Sequence, residues 1–214
     1  MVKIKIIYDN TSLIEGLTED WGFACTIEAH GRHILFDTGG NGSILLKNMK
    51  LLNIDPESID DVVISHPHFD HIGGLSAFLN ENLTAVVHVP ASFKGIKYSN
   101  EVKYYDCPEE IYSGFYLSGE LEQLEQAMAV KTNQGLLLIV GCSHPDMKNI
   151  FDPISRYGNI IGIVGGMHGF RDFQLLKEMK LICPTHCTQH IDKIKELYPG
   201  GYMKGGVGQV IEVE

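Results

Sequence analysis

Ser65-His66-Pro67-His68-Phe69-Asp70-His71 sets three imidazoles and a carboxylate within the six residues that begin at His66. Ordinary packing has no use for so many charge-switching groups side by side. Neutral imidazole nitrogen and carboxylate oxygen are the donors that borderline divalent metals such as zinc accept. Adjacent donors point apart, so the four cannot converge on one tetrahedral ion without strain. Two neighbouring ions, each completed from elsewhere in the chain, are the natural arrangement. Asp61–Ser65, just upstream, reads as a strand, which puts the cluster at that strand's carboxyl end.

Three further histidines stand in equivalent places. His144 follows the apolar run Gly135–Gly141, His168 follows Ile160–Val164, and His186 follows Leu181–Cys183. In α/β folds ligands bind at the carboxyl edge of the strands, where the loops converge. Histidines recurring at that one position point to a common site, reached only in three dimensions. Other strands are expected at Val2–Tyr8, Phe23–Glu28, His33–Phe36, Thr84–Val89 and Val207–Val213, with a hairpin turn at Gly31. Helices are expected at Ser43–Leu52, beyond Gly74, near Asp146–Arg156, near Asp172–Lys180 and near Ile191–Leu197. The Gly73-Gly74 pair is expected to open a helix whose amides favour an anion.

The 214 residues carry 17 Lys+Arg against 27 Asp+Glu, a net charge of −10. That balance argues against a protein that coats nucleic acid or anionic lipid. No apolar run reaches the roughly 18 residues of a membrane span. No repeat or linker divides the chain, so one domain over 1–214 is expected, in the cytoplasm. Five scattered cysteines read as reduced, buried thiols. Cys183 and Cys187 in CPTHC lack the two further thiolates of a zinc knuckle, and Cys142 and Cys187 are read as small buried fillers. His30, His33 and His88 are read as structural, and His190 as an exposed helix-start residue. Asp9 and Asn10 either line the site or make a turn. Residues 90–130 hold seven aromatics, read as strands with a loop that overhangs the site or as a peripheral sheet packing its own rings.

The chain resembles the metallo-β-lactamase-fold superfamily, and within it the branch that includes 7,8-dihydropterin-6-yl-methyl-4-(β-D-ribofuranosyl)aminobenzene 5′-phosphate synthase. The resemblance rests on Tyr8-Asp9-Asn10-Thr11, Leu35-Phe36-Asp37-Thr38-Gly39 and the HxHxDH stretch extended through Ile72-Gly73-Gly74-Leu75. It continues in Gly141-Cys142-Ser143-His144, Gly165-Gly166-Met167-His168 and Pro184-Thr185-His186-Cys187-Thr188. It implies an α/β fold, a four-layer αββα sandwich of the metallo-β-lactamase type. It also implies that His66, His68 and His144 hold one ion, that Asp70, His71 and His186 hold the other, and that Asp37 orients ligands from behind. The chain departs from the pattern at Gly165-Gly166-Met167-His168, where many superfamily hydrolases place a bridging aspartate. The second ion is then weak, absent or completed by His168, or else His168 faces the substrate. The chain is also shorter than the branch between the HxHxDH region and Gly141.

One or two divalent ions per chain are expected, zinc first, with manganese, iron or cobalt also suited to the donors. A bound ion lowers the pKa of its water from 15.7 toward ~7, which supplies a metal-bound hydroxide. Asp70 and His168 are the candidate catalytic residues: Asp70 orients the hydroxide besides ligating, and His168 handles protons or phosphate. The expected function is hydrolysis of a small, anionic, phosphorylated or acylated molecule. Two alternatives remain, a transferase joining a dihydropterin diphosphate to a ribofuranosylaminobenzene phosphate, and an inactive metal- or ligand-binding module.

Overall fold

A computed structural model describes residues 1–214. Strands alternate their side chains between two faces, and the apolar residues of this chain sort accordingly. In β3 (Arg32–Phe36), Ile34 and Phe36 enter one core while Leu35 enters another. In β10 (Leu136–Val140), Leu137 and Ile139 face one way and Leu136, Leu138 and Val140 the other. Sheets that are apolar on both faces must be covered on both. The outcome is four layers.

The first sheet runs β13-β1-β2-β3-β4-β5-β6, where β1 is Val2–Tyr8, β2 Ala24–Ala29, β4 Asp61–Val63, β5 Val86–Pro90, β6 Val102–Tyr105 and β13 Val210–Val213. The second runs β12-β11-β10-β9-β8-β7, with β7 Glu109–Tyr112, β8 Phe115–Leu117, β9 Met128–Lys131, β11 Ile160–Gly166 and β12 Leu181–Thr185. Ile4, Ile6, Ile34 and Phe36 of the first meet Leu117, Met128, Ile139 and Val164 of the second in the central core. Helices α1 (Gly42–Leu51) and α3 (Leu75–Glu81) cover the outer face of the first sheet through Leu45, Met49, Phe78 and Leu79. Helices α4 (Met147–Ser155) and α5 (Ile191–Leu197) cover the second through Ile150, Ile154 and Ile194. The chain therefore has the expected αββα sandwich. None of its helices is long and apolar enough to cross a membrane.

Several local expectations are corrected. The helix expected at Asp172–Lys180 is one 3-10 turn, Phe173–Leu176, because β12 already starts at Leu181 and the chain must reach it. The last strand starts at Val210, since Gly206 and Gly208 hold φ of 139° and 93°, outside the strand region. Gly73 and Gly74 do precede α3 as expected, Gly74 standing at its N-cap. A Cβ on either would strike the backbone of Gly40 or Thr38, so they serve close packing between α2 (Phe69–Ile72) and the loop after β3. Of the 90–130 aromatics, Phe93, Tyr105, Phe115 and Tyr116 are buried in the cores, with Tyr98 and Tyr112 packed against them. They fill the main cores of the molecule, neither as a separate peripheral sheet packing its own rings nor as a loop overhanging the site.

Candidate metal centre

Strands β10, β11 and β12 are parallel, so their carboxyl ends share an edge. Residues just past those ends meet the segment just past β4. The His66 and His144 ring centroids are 4.9 Å apart although 78 residues separate them. Sharp backbone reversal aids this convergence, because Asp37, Ser143, His168 and His186 all have left-handed φ between 34° and 56°. Such conformations cost of order 1–3 kcal/mol each in non-glycine residues and cluster at functional sites.

The structure brings the six candidate ligands into two groups of three. The donor atoms of His66, His68 and His144 lie within 4.8 Å of one another, and so do those of Asp70, His71 and His186. Within the second group, His186 Nε2 is 3.2 Å and His71 Nε2 4.0 Å from Asp70 Oδ2. The His66 and His71 rings, 4.2 Å apart, join the groups.

Hydrogen bonds behind the rings decide which nitrogen faces the site. Asp37 is fully buried; its Oδ1 accepts from Ser65 N (2.7 Å), and its Oδ2 accepts from Ser65 Oγ (2.7 Å) and His71 Nδ1 (2.7 Å). The Ser65 hydroxyl spends its proton on Asp37, so its oxygen accepts from His66 Nδ1 at 2.8 Å. Both rings are thereby left with a bare Nε2 in the neutral form. Across the site, Asn10 Oδ1 accepts from His186 Nδ1 (2.9 Å), Asn10 Nδ2 donates to His186 O (3.0 Å), and Asp9 Oδ1 accepts from His186 N (2.9 Å). Asp9 and Asn10 thus support the site rather than merely turn the chain.

Burial, followed by neighbouring imidazoles, pushes His66 far below the ordinary histidine range and lowers His144 and His186 to about 4. Burial also acts on His71, but the Asp37 carboxylate outweighs it and raises that ring. Burial would raise Asp70 as well; the charges of His71 and His186 and the Trp21 indole hold it below the usual value. His66 Nε2 and His186 Nε2 are buried with no hydrogen-bond partner. An unpaired buried polar atom costs about 1–3 kcal/mol. A divalent ion is the partner that these nitrogen and oxygen donors could share.

His168 stands apart from both groups. It is exposed, with its ring 5.2 Å from that of His144, on a cleft of about 360 Å³ lined also by Ser143, Asp146, Phe170 and Arg171. Of the alternatives left open for it, the cleft-facing position agrees with a substrate-facing histidine, since the reversal after β11 turns it outward. His88 is structural, bridging Asp61 Oδ1 (2.9 Å) and Tyr105 Oη (2.8 Å), and belongs to neither donor set. His190 is half-buried at the start of α5 rather than exposed.

Two supporting residues carry no local signal in the sequence. Glu125 is buried and accepts from the backbone N–H groups of Cys142 (2.9 Å), Ser143 (3.0 Å) and His144 (2.8 Å), which fixes the loop that presents His144. Burial raises its pKa despite those three bonds. Trp21 Nε1 donates to Asp70 Oδ2 (2.8 Å), and its ring lies edge-on to His186 at 5.0 Å. Cys25, Cys142, Cys183 and Cys187 are buried as expected while Cys107 is exposed, and the sulfurs of Cys142 and Cys187 lie among the donor atoms instead of filling the core.

This architecture is shared with known proteins. Tm1679, a metal-dependent hydrolase of the β-lactamase superfamily, superposes with a TM-score of 0.82 at 26% identity, covering both chains in full. MJ0448, an uncharacterized protein of Methanocaldococcus jannaschii, is 28% identical over 98% of this chain and 100% of its own. The 7,8-dihydropterin-6-methyl-4-(beta-D-ribofuranosyl)-aminobenzene-5′-phosphate synthase of the same organism is 27% identical over 78% of this chain and 79% of its own. Residues 23–169 match the sequence family Lactamase_B, the Metallo-beta-lactamase superfamily. That match takes in more than half of the residues and falls on the same two-sheet sandwich, so the chain belongs to the metallo-β-lactamase superfamily.

Proposed function

We propose that the chain is a metal-dependent hydrolase of a small anionic molecule, a phosphate ester or an acyl compound. The observation that carries this reading is the convergence of two donor sets, with two buried imidazole nitrogens that no protein group satisfies. His66, His68 and His144 would hold one divalent ion and Asp70, His71 and His186 a second, zinc first, with manganese, iron or cobalt as alternatives. An ion so held supplies a Lewis acid and lowers the pKa of its water toward ~7. The protein's part is orientation. Asp37 and Asn10 fix the rings, and Trp21 fixes the Asp70 carboxylate. His168 and Arg171, on the cleft beside His144, offer an imidazole and a guanidinium to an anionic substrate.

Kinship with a metal-dependent hydrolase over the whole chain supports the hydrolase reading. Kinship with the synthase supports a transferase as the second reading. The aromatics of residues 90–130 that could stack on a pterin are mostly spent in the protein interior. The deciding experiment is elemental analysis of protein purified without chelator, together with hydrolysis of bis-p-nitrophenyl phosphate. Bound metal and turnover, both lost in His66→Ala, support the proposal. Turnover retained without metal would refute it.

A further inference from the structure

The end of β11, where the superfamily pattern places a bridging carboxylate, has no room for any side chain. A Cβ on Gly166 would lie 2.5 Å from Gly141 O and 2.7 Å from Cys187 Sγ, and a Cβ on Gly165 would strike the backbone of Val140. Sulfur fills the space instead. Cys142 Sγ is 3.2 Å from His71 Nε2 and forms a group with His66 and His71 whose donor atoms all lie within 4.8 Å. The same sulfur forms a second such group with His186 and Cys187. It reaches residues of both sets, His66 on one side and His71 and His186 on the other. His66 Nε2 and His186 Nε2, two buried nitrogens without partners, belong to the residues it sits between.

From this geometry we propose that Cys142 supplies a thiolate shared between the two metal positions, in place of the carboxylate that β11 does not supply. The inference rests on the reading of the six residues above as metal ligands. Thiolate is a recognised ligand for zinc and cobalt, and binding releases the thiol proton to solvent. The supporting structure holds the sulfur in place: Glu125 anchors the Cys142 amide at 2.9 Å, and Cys187 lies behind, its sulfur 3.8 Å from Cys142 O. A soft sulfur at this point favours zinc or cobalt over manganese, unlike an all-nitrogen-and-oxygen site.

The test uses the full chain loaded with cobalt(II), because sulfur-to-cobalt charge transfer absorbs in the near ultraviolet whereas nitrogen and oxygen ligands do not. The expected result is a charge-transfer band in the wild type, lost in Cys142→Ser and kept in Cys187→Ser. Cobalt bound without that band would overturn the proposal and leave the six-residue site intact. A band lost only in Cys187→Ser would assign the wrong sulfur and overturn it equally. Failure to bind cobalt at all would remove the six-residue reading along with it. Should Cys142→Ser not fold, alkylation of the wild type followed by mass spectrometry decides the matter. Cys142 is then expected to be protected when metal is present and labelled after chelation. Equal labelling in both states, or a Cys142–Cys187 disulfide in the loaded protein, would refute the assignment.

Discussion

Replacing Asp37 with Asn changes one atom's hydrogen-bonding character and, by the geometry here, reverses two histidines. Ser65 N–H needs an acceptor, so the amide oxygen of the new side chain takes the Oδ1 position and its NH2 takes Oδ2. That NH2 then faces Ser65 Oγ and His71 Nδ1, each of which gave a proton to the carboxylate. His71 must accept at Nδ1 and carry its proton on Nε2, toward the site. The Ser65 hydroxyl, now accepting, turns its proton to His66 Nδ1, which moves that ring's proton to Nε2 as well. One ligand in each proposed set is then blocked by a proton. Losing an outer partner of a metal ligand weakens affinity about 10- to 100-fold, or roughly 1.4–2.7 kcal/mol, and here both ions should weaken by that factor. Competition for zinc against a chromophoric chelator at neutral pH measures it, with urea denaturation of the metal-free protein confirming that the variant is folded. Affinities within about twofold of wild type for both ions would refute the argument that Asp37 sets the ring tautomers.

Asn10→Ala removes the acceptor for His186 Nδ1 and should weaken one ion about 10- to 100-fold while sparing the other; biphasic chelator competition reads the two separately. Glu125→Gln replaces an oxygen that accepts backbone N–H with an amide donor, so at least one of three N–H groups at this buried carboxylate loses its partner, costing about 1–3 kcal/mol by urea denaturation. Asp61 is buried and would be raised by that burial, but hydrogen bonds from His88 and Tyr112 and the Arg32 guanidinium at 2.7 Å outweigh it and lower its pKa. Its stabilising contribution is therefore present above the unfolded carboxylate pKa of ~3.9 and is lost as pH falls through the lower folded value. Asp61→Ala leaves buried His88 and half-buried Tyr112 without their acceptor and should cost about 1–3 kcal/mol at neutral pH, with the gap from wild type narrowing in acid and zinc affinity unchanged.

Much of this was legible in the residues alone. Unbroken apolar runs such as Leu136–Val140 announce strands buried on both faces, and such strands require covering layers on each side. The His66–His71 run announces metal chemistry because no packing role accounts for its donor density. His144 and His186 could be placed because each follows a locally encoded strand end, and the polarity of parallel strands sends those ends to one edge. Tertiary structure decided what depends on which surfaces meet. Asp37 and Ser65 act as one relay only because β3 and β4 pair in parallel register, with Phe36 beside Val63. Glu125 is one acidic residue among many until the strand end after β10 wraps around it. Seven aromatics near the middle of the chain could stack on a ligand or on each other with equal chemical logic, and the two-sheet core took most of them. Cys142 and Cys187 look in sequence like small apolar fillers. The close approach of Gly166 to Gly141 puts their sulfurs at the centre of the donor groups, because backbone proximity, unlike ligand chemistry, is not written in any one stretch of residues.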